Sequence, residues 1–372
     1  MTSGSYRPAR SVAATVEEHF RRHSRGGTPV PDASAVERMV DAAFWASLRR
    51  EEGRGPKISL AYLPATAAGR ALVLERRLAL DPATLTRLAP AAERPGIHLC
   101  VWSDGDEPYV WGATRTIPPY CFVLEVVDAG LLVIKHRRAD PADGGGKFVN
   151  VAVLEGDEVK IVDSEGVQSF PCPEFVSSLV AFDEAAGRSE SVLLQLALSM
   201  RAHHHGGSLL VVPHGSDEWR ESILWPVMYA VSPPFTALTD LLRAVPASRP
   251  PGGETPGFRA AIEAIGGLTA VDGATVLSDE WEVLAFGAKI GRRAGSVPVE
   301  RLTVIEPILG RRPVAVHPAE LGGTRHLSAA QFVSEQHEAI ALVASQDGQF
   351  TVFAWHEPEG VVHGYRVETL LL

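Results

Sequence analysis

The sequence predicts two domains of different class. The front half reads as a β-rich α+β domain, and the second half as an α/β domain with a mixed central sheet flanked by helices. Three observations predict this. The 372 residues exceed the length of one ordinary domain. Between residues 57 and 163, short β-branched and aromatic runs follow one another with turn residues between them. Beyond about residue 190, strand-like runs alternate with helical spacing, the mark of an α/β layer. The expected division is a loosely held segment at 1–30, an α+β domain at 31–184 and the α/β domain at 185–372.

Residues 1–30 are polar, with Gly26-Gly27 and Pro29 near their end, which predicts a loosely held segment. Val36, Met39, Val40, Ala43, Phe44 and Leu48 then recur at helical spacing. Strands are expected at 58–62, 97–102, 121–127, 131–134 and 148–154, with Asp128-Ala129-Gly130 and Glu155-Gly156-Asp157 as turns. One helix interrupts them at 82–88, capped by Asp81. Polar residues 183–191 mark the boundary.

In the second half a helix at 192–202 leads into an apolar strand at 208–212. A helix at 237–245 and a flexible Pro/Gly excursion at 246–257 follow. A helix at 258–265 runs into Gly266-Gly267 and a strand at 270–277. Strands at 283–290 and 302–308, a helix from Thr324, and strands at 339–344 and 350–355 complete the pattern.

Composition narrows the function. The formal net charge of −10 argues against non-specific nucleic-acid binding and against docking on an anionic membrane. Cys100, Cys121 and Cys172 are scattered and form no CxxC pair, so neither a disulfide framework nor a cysteine zinc site is expected. No apolar run approaches the ~18 residues of a membrane span, and the first 30 residues lack a signal-like apolar stretch. The expected setting is the cytoplasm.

Two segments carry chemistry. Gly322-Gly323-Thr324-Arg325-His326-Leu327-Ser328 places a glycine turn before a helix. Thr324 is a natural N-cap, the helix directs free N–H groups outward, and Arg325 and His326 add donors at the same end. Together they describe a phosphate site; the alternative is an ordinary capped helix with two solvated polar residues. Asp272-Gly273-Ala274 places an acid in an apolar run, so Asp272 emerges at a strand end or binds a partner. Beside a nucleotide that partner is Mg²⁺ or Mn²⁺; the alternative is a common Asp-Gly turn.

In this order the two segments resemble the nucleotide-binding domain of DisA-type diadenylate cyclases, which carries Asp-Gly-Ala on a central strand and Gly-Thr-Arg-His-Arg before a helix. Gly206-Gly207-Ser208-Leu209-Leu210-Val211-Val212 is similar to that family's first core strand. Residues 283–290 are similar to the strand after Asp-Gly-Ala, and Ala344-Ser345-Gln346-Asp347-Gly348 to its Ser-Glu-Glu-x-Gly turn. The resemblance spans roughly 190–372. It implies that Asp272 holds the divalent metal and, in an active enzyme, helps activate a ribose hydroxyl. It also implies that Gly273 and Ala274 lie against the nucleotide and that Ile290 packs on the base. Gly323, Thr324, Arg325 and His326 would grip phosphates, and Ser345 would contact ribose or phosphate. A homodimer or higher homo-oligomer follows from the same likeness.

Two departures bear on activity. Leu327 replaces the second arginine of the motif, and a leucine cannot neutralise charge developing on a phosphate. The acidic pair of the turn becomes Gln346-Asp347. The Asp272–Thr324 link contains Arg292-Arg293 and Arg311-Arg312, which would restore charge if they folded inward; the alternative is a solvated basic loop. The pattern is closer to a divergent branch, the DACNV-type sensor domains, in which a β-rich region precedes the DisA-like domain. Trp111-Gly112 and residues 149–152 accord with it. The expected function is therefore a sensor that binds ATP or a related cyclic dinucleotide. An active cyclase making cyclic di-AMP and a non-binding scaffold are the alternatives.

Other motifs fall away. Gly144-Gly145-Gly146-Lys147 lacks the first glycine and the Ser/Thr of a P-loop. His203-His204-His205 ends a helix, where the dipole favours histidine without any metal. Neither GxSxG nor HExxH is present.

Overall fold

The computed structural model describes residues 5–24, 27–50, 55–105, 107–137, 148–163, 176, 188–244 and 256–372. Cys172, the 144–147 segment, residues 183–187 of the expected boundary and 246–255 of the expected excursion lie outside the described residues. The chain divides into two compact units, Met1–Val162 with Leu372, and Asp163–Leu371.

The front unit corrects the expectation for the N-terminus. Residues Arg7–His23 form a helix, α1, whose Ala9, Val12, Ala13, Val16 and Phe20 are buried. These positions repeat every three to four residues, so one stripe packs inward while Glu17, Glu18, Arg21 and Arg22 stay outside. Helix α2 (Ala33–Ser47) follows, with the Asp32 carboxylate accepting the Ala35 N–H. Helix α3 (Pro82–Ala92) has Asp81 as its cap, accepting from the Thr84 N–H at 2.8 Å. That is the residue the sequence reading assigned.

The strands of this unit are β1 (Ile58–Tyr62), β2 (Leu72–Ala79), β3 (His98–Trp102) and β4 (Tyr109–Thr114), then β5 (Phe122–Asp128), β6 (Leu131–Arg137), β7 (Phe148–Glu155) and β8 (Glu158–Ile161). They form one sheet in the order β2-β4-β3-β1-β5-β6-β7-β8, antiparallel except for β1 beside β3. Alternation sorts the side chains. Leu60, Leu99, Val101 and Leu124 join the three helices in one core, whereas Ala61, Cys100, Trp111 and Val123 form a smaller cluster on the other face. At Gly112 an added Cβ would meet the Leu72 carbonyl oxygen at 2.2 Å, so β4 requires glycine where β2 crosses it.

The second unit places helices on both faces of a mixed sheet. Its helices are α4 (Arg188–Ala202), α5 (Ala237–Ala244), α6 (Pro256–Leu268), α7 (Pro318–Leu321) and α8 (Thr324–Glu335). Its strands are β9 (Gly207–Val212), β10 (Tyr229–Phe235), β11 (Ala274–Ser278), β12 (Val283–Ala288) and β13 (Leu302–Ile305), then β14 (Val314–Val316), β15 (Ile340–Ala344), β16 (Phe350–His356) and β17 (Val361–Arg366). Their order is β10-β12-β11-β9-β15-β16-β17-β13-β14, with β9/β11 and β13/β17 parallel.

Leu209 and Val211 face α4 and α6, while Leu210 and Val212 face Phe332 and Val333 of α8. Such an all-apolar run is what a strand buried on both faces requires. Gly266 lies inside α6 rather than after it, because a Cβ there would strike the Ser199 hydroxyl of α4 at 2.1 Å. The outer strand β10 is almost wholly exposed and contains Pro233-Pro234. Proline donates no ladder hydrogen bond and is confined to such edges. Both units are thus mixtures of helix and multi-strand mixed sheet. Among the described residues, no helix is long and apolar enough to cross a membrane.

Candidate functional site

One end of the nine-stranded sheet gathers most of the residues singled out in the second half. Strand register fixes this. Ala274 at the start of β11 pairs with Ser208 on β9 and with Ala288 on β12. Ser208 pairs with Val343, and Gly207 with Ala344 at the end of β15. The segments one step beyond, Gly206, Asp272-Gly273, Lys289 and Ser345, therefore project from the same sheet end.

Asp272 precedes β11 instead of lying inside the longer strand expected at 270–277, so its carboxylate emerges at a strand end. It is exposed and paired with Lys289 at 2.5 Å. The Lys289 hydrogen bond, the Lys289 charge and the more distant charge of Arg325 hold its carboxyl below the usual carboxylate range. Gly273 has φ +122°, and a Cβ there would lie 2.5 Å from the Gly287 carbonyl carbon. Only glycine meets both conditions. Ala274 is buried in the ladder. Ile290 forms an isolated bridge to Ile223 and packs on the core between β9, β11 and α8.

Helix α8 supplies the cation. Its cap is Gly323, with no side-chain hydrogen bond, and Thr324 is the first helical residue. This corrects the assignment of Thr324 as cap: a glycine occupies the half-turn position, and the threonine is exposed one residue later. Arg325 is half-buried, and its Nη1 lies 3.1 Å from where a Cβ on Gly206 would stand. Gly206 thus leaves room for the guanidinium at the mouth of β9. Among the described residues Arg325 has no ion-pair partner.

His326 turns the other way. Its ring is buried, 3% exposed, edge-on to Phe353, and its Nε2 has no hydrogen-bond partner among the described residues. Burial, with Arg366 next in weight, lowers its basicity, so it is a neutral imidazole at pH 7. Gly322 is needed because a Cβ there would come within 2.5 Å of His326 Nδ1. Leu327 is exposed on the helix surface.

Ser345 donates its hydroxyl to Asp347, whose carboxyl is held low chiefly by that bond. Gln346 donates to the His205 carbonyl at 3.3 Å, which ties the turn after β15 to the His203–His205 segment entering β9. One arginine of each pair in the long link is engaged elsewhere. Arg293 pairs with Glu221 at 2.7 Å, and Arg311 with Glu306 at 3.7 Å. Arg311 and Arg312 line a small cleft of about 190 Å³ with Arg366 and Glu320.

Lys289 and Arg366 are cations of this sheet end that sequence reasoning passed over. For Lys289 the signal was available: it ends the strand that must return antiparallel beside Asp-Gly-Ala. A second missed feature lies in the front unit, a cleft of about 630 Å³ whose lining includes Glu37, Arg38, Asp41, Asp81, Glu107 and Tyr109. Arg38 and Glu107 pair across it at 2.6 Å.

Residues 26–115 match the family model described as the probable sensor domain DACNV. The match covers α2 to β4, including Trp111-Gly112 and most of the lining of the front cleft. The Asp-Gly-Ala and Gly-Thr-Arg-His segments lie outside it. No curated protein matches the chain.

Proposed function

We propose that the protein is a nucleotide-responsive sensor whose second unit takes a nucleotide, ATP or a cyclic dinucleotide, at the Asp272–Arg325 end of its sheet. The observation that carries this reading is the position of Arg325. A guanidinium with no ion-pair partner among the described residues lies at the start of α8, against Gly206 and within electrostatic reach of Asp272, at the sheet end that also bears Lys289. A planar cation beside a glycine-lined backbone and a helix N-terminus suits a phosphate. The ionised, exposed Asp272 is a hard oxygen donor of the kind that holds Mg²⁺ or Mn²⁺ together with phosphate oxygens. Its present partner Lys289 is a flexible ammonium that can pass to the incoming anion.

Two features favour binding over turnover. Leu327 stands exposed where the cyclase motif carries an arginine, and His326 is a buried neutral ring rather than a phosphate-facing cation. The buried His326 positions the Gly322–Gly323 turn, and Thr324 and Arg325 are the residues left facing the ligand. The sensor-family match in the front unit supports a reporting role.

Titration calorimetry of the full chain with ATP, ADP and cyclic di-AMP, with and without Mg²⁺, tests this reading. Binding of at least one nucleotide is expected, and Arg325→Ala weakens it by about 10- to 100-fold, the worth of a charge-assisted contact. Absence of heat with every nucleotide, or affinity unchanged by Arg325→Ala, overturns the assignment.

A further inference from the structure

We infer that the hairpin joining β16 and β17 is a binding site for one divalent transition-metal ion of the zinc class, held by His356, Glu359 and His363. This site lies at the opposite end of the sheet from Asp272, since β16 runs from Phe350, beside Ala344, to His356. It does not depend on the nucleotide reading.

Strand pairing assembles it. His363 lies opposite Ala354, and Val361 opposite His356, so the two histidines are diagonal neighbours on one face. Their rings stack at 4.2 Å between centroids. The tight turn between them closes through the Gly360 N–H to the His356 carbonyl at 2.9 Å, with Gly360 at φ +62°. That turn brings Glu359 back over both rings.

The three donor atoms lie within 4.8 Å of one another. Glu359 approaches His356 Nδ1 at 3.7 Å through one oxygen and His363 Nε2 at 3.1 Å through the other. Ligands about 2.0–2.1 Å from a tetrahedral Zn²⁺ stand roughly 3.4 Å apart, between those two values. His363 Nδ1 is engaged by the Tyr365 hydroxyl at 3.2 Å, which leaves Nε2 as the nitrogen to bind a cation and supplies the outer contact that orients metal-bound imidazoles.

A second, independent observation points to a ligand. His356 is 8% exposed, and among the described residues neither of its ring nitrogens has a hydrogen-bond partner. Burying an imidazole with both nitrogens unsatisfied is costly, and a metal at Nδ1 removes the part of that cost that falls on Nδ1. Two imidazoles and one carboxylate suit zinc and its first-row neighbours rather than Mg²⁺ or Ca²⁺, which prefer all-oxygen sites. With three protein ligands, the fourth position is left to water or an exogenous ligand.

The test uses the full chain, stripped with a chelator and titrated with Zn²⁺ by calorimetry and with Co²⁺ by visible absorption. One equivalent per chain is expected, with the intense bands of four-coordinate Co²⁺ and a melting temperature raised by Zn²⁺. Glu359→Gln, on an exposed turn that the fold tolerates, weakens binding by at least tenfold, and His363→Ala removes it. Circular dichroism of the same samples verifies that both variants are folded; where His363→Ala is not, Glu359→Gln decides. No binding of either metal overturns the proposal. So does binding unaffected by Glu359→Gln, or binding lost instead on substituting His203 and His205.

Discussion

The two units differ in where their most perturbed titratable groups stand. In the front unit several are sealed inside and kept neutral, while others such as Arg38 and Glu107 stay paired at the surface. Burial pushes His19 down to about 3 and His98 down to about 4, and it pushes the Cys100 and Cys121 thiols up to about 12. In the second unit the charged groups stand at strand ends and in turns: Asp272 against Lys289, Asp347 against Ser345, Glu359 over two histidines. Sealed groups fix a packing arrangement and respond to pH only by unfolding. Groups at strand ends can exchange a protein partner for a ligand without disturbing the core. The buried groups of the front unit therefore belong to its framework, and the strand-end groups of the second unit carry exchangeable charge.

The largest effect that would break this contrast is steric. Gly112→Ala forces a Cβ into the Leu72 carbonyl and lowers the stability of the front unit by about 3 kcal/mol or more. If the units melt separately, calorimetry records one early transition, and the nucleotide binding proposed for the second unit survives. A single shared transition, or loss of binding, merges what the contrast separates.

Acid gives a smaller and graded effect. A histidine whose basicity is depressed on folding binds its proton more readily in the unfolded chain, so stability is complete above about pH 6.5 and falls as the pH drops toward the folded value. For His19 and His98 that window runs from about pH 6.5 down to about 3 and 4 respectively. Denaturant melts at pH 7 and pH 4.5 should differ by more than ~1 kcal/mol in the front unit. A His19→Gln, His98→Gln variant should show a shallower slope.

The smallest effect concerns the exposed pair. Lys289→Met removes the partner of Asp272 at the surface, where an ion pair contributes little. The melting temperature is expected to move by less than about 2 °C, while the proposed nucleotide affinity falls severalfold. A large loss of stability would make Lys289 a structural residue and weaken the division between packing and exchange.

Where the sequence was legible, a single local rule was at work. Asp81 caps α3 through its own side chain, and Val36, Met39, Val40 and Ala43 mark one helical stripe. The apolar runs of β9 and β15 announce strands buried on both faces. Where it was not, the determining contact was distant or the local pattern was masked. Strand β2 is exposed along most of its length and carries Glu75-Arg76-Arg77, so no alternation marks it. Strand β10 contains two prolines. The stripe of α1 was present but lay among charges that read as solvated. His356, Glu359 and His363 acquire meaning only from strand pairing, which brings residues on separate strands into contact without any periodic signature. Gly323 displaced Thr324 as cap because the cap is set by backbone geometry at the turn, not by residue type alone.

The prolines of β10 have a further consequence. Consecutive residues without an amide hydrogen leave a gap in the row of donors that a foreign chain would need for zipping onto that rim. At the far rim, β14 offers only three residues. A polymer propagated by strand addition would find little template at either border, so the nine-stranded sheet is closed to outward growth without being closed into a barrel.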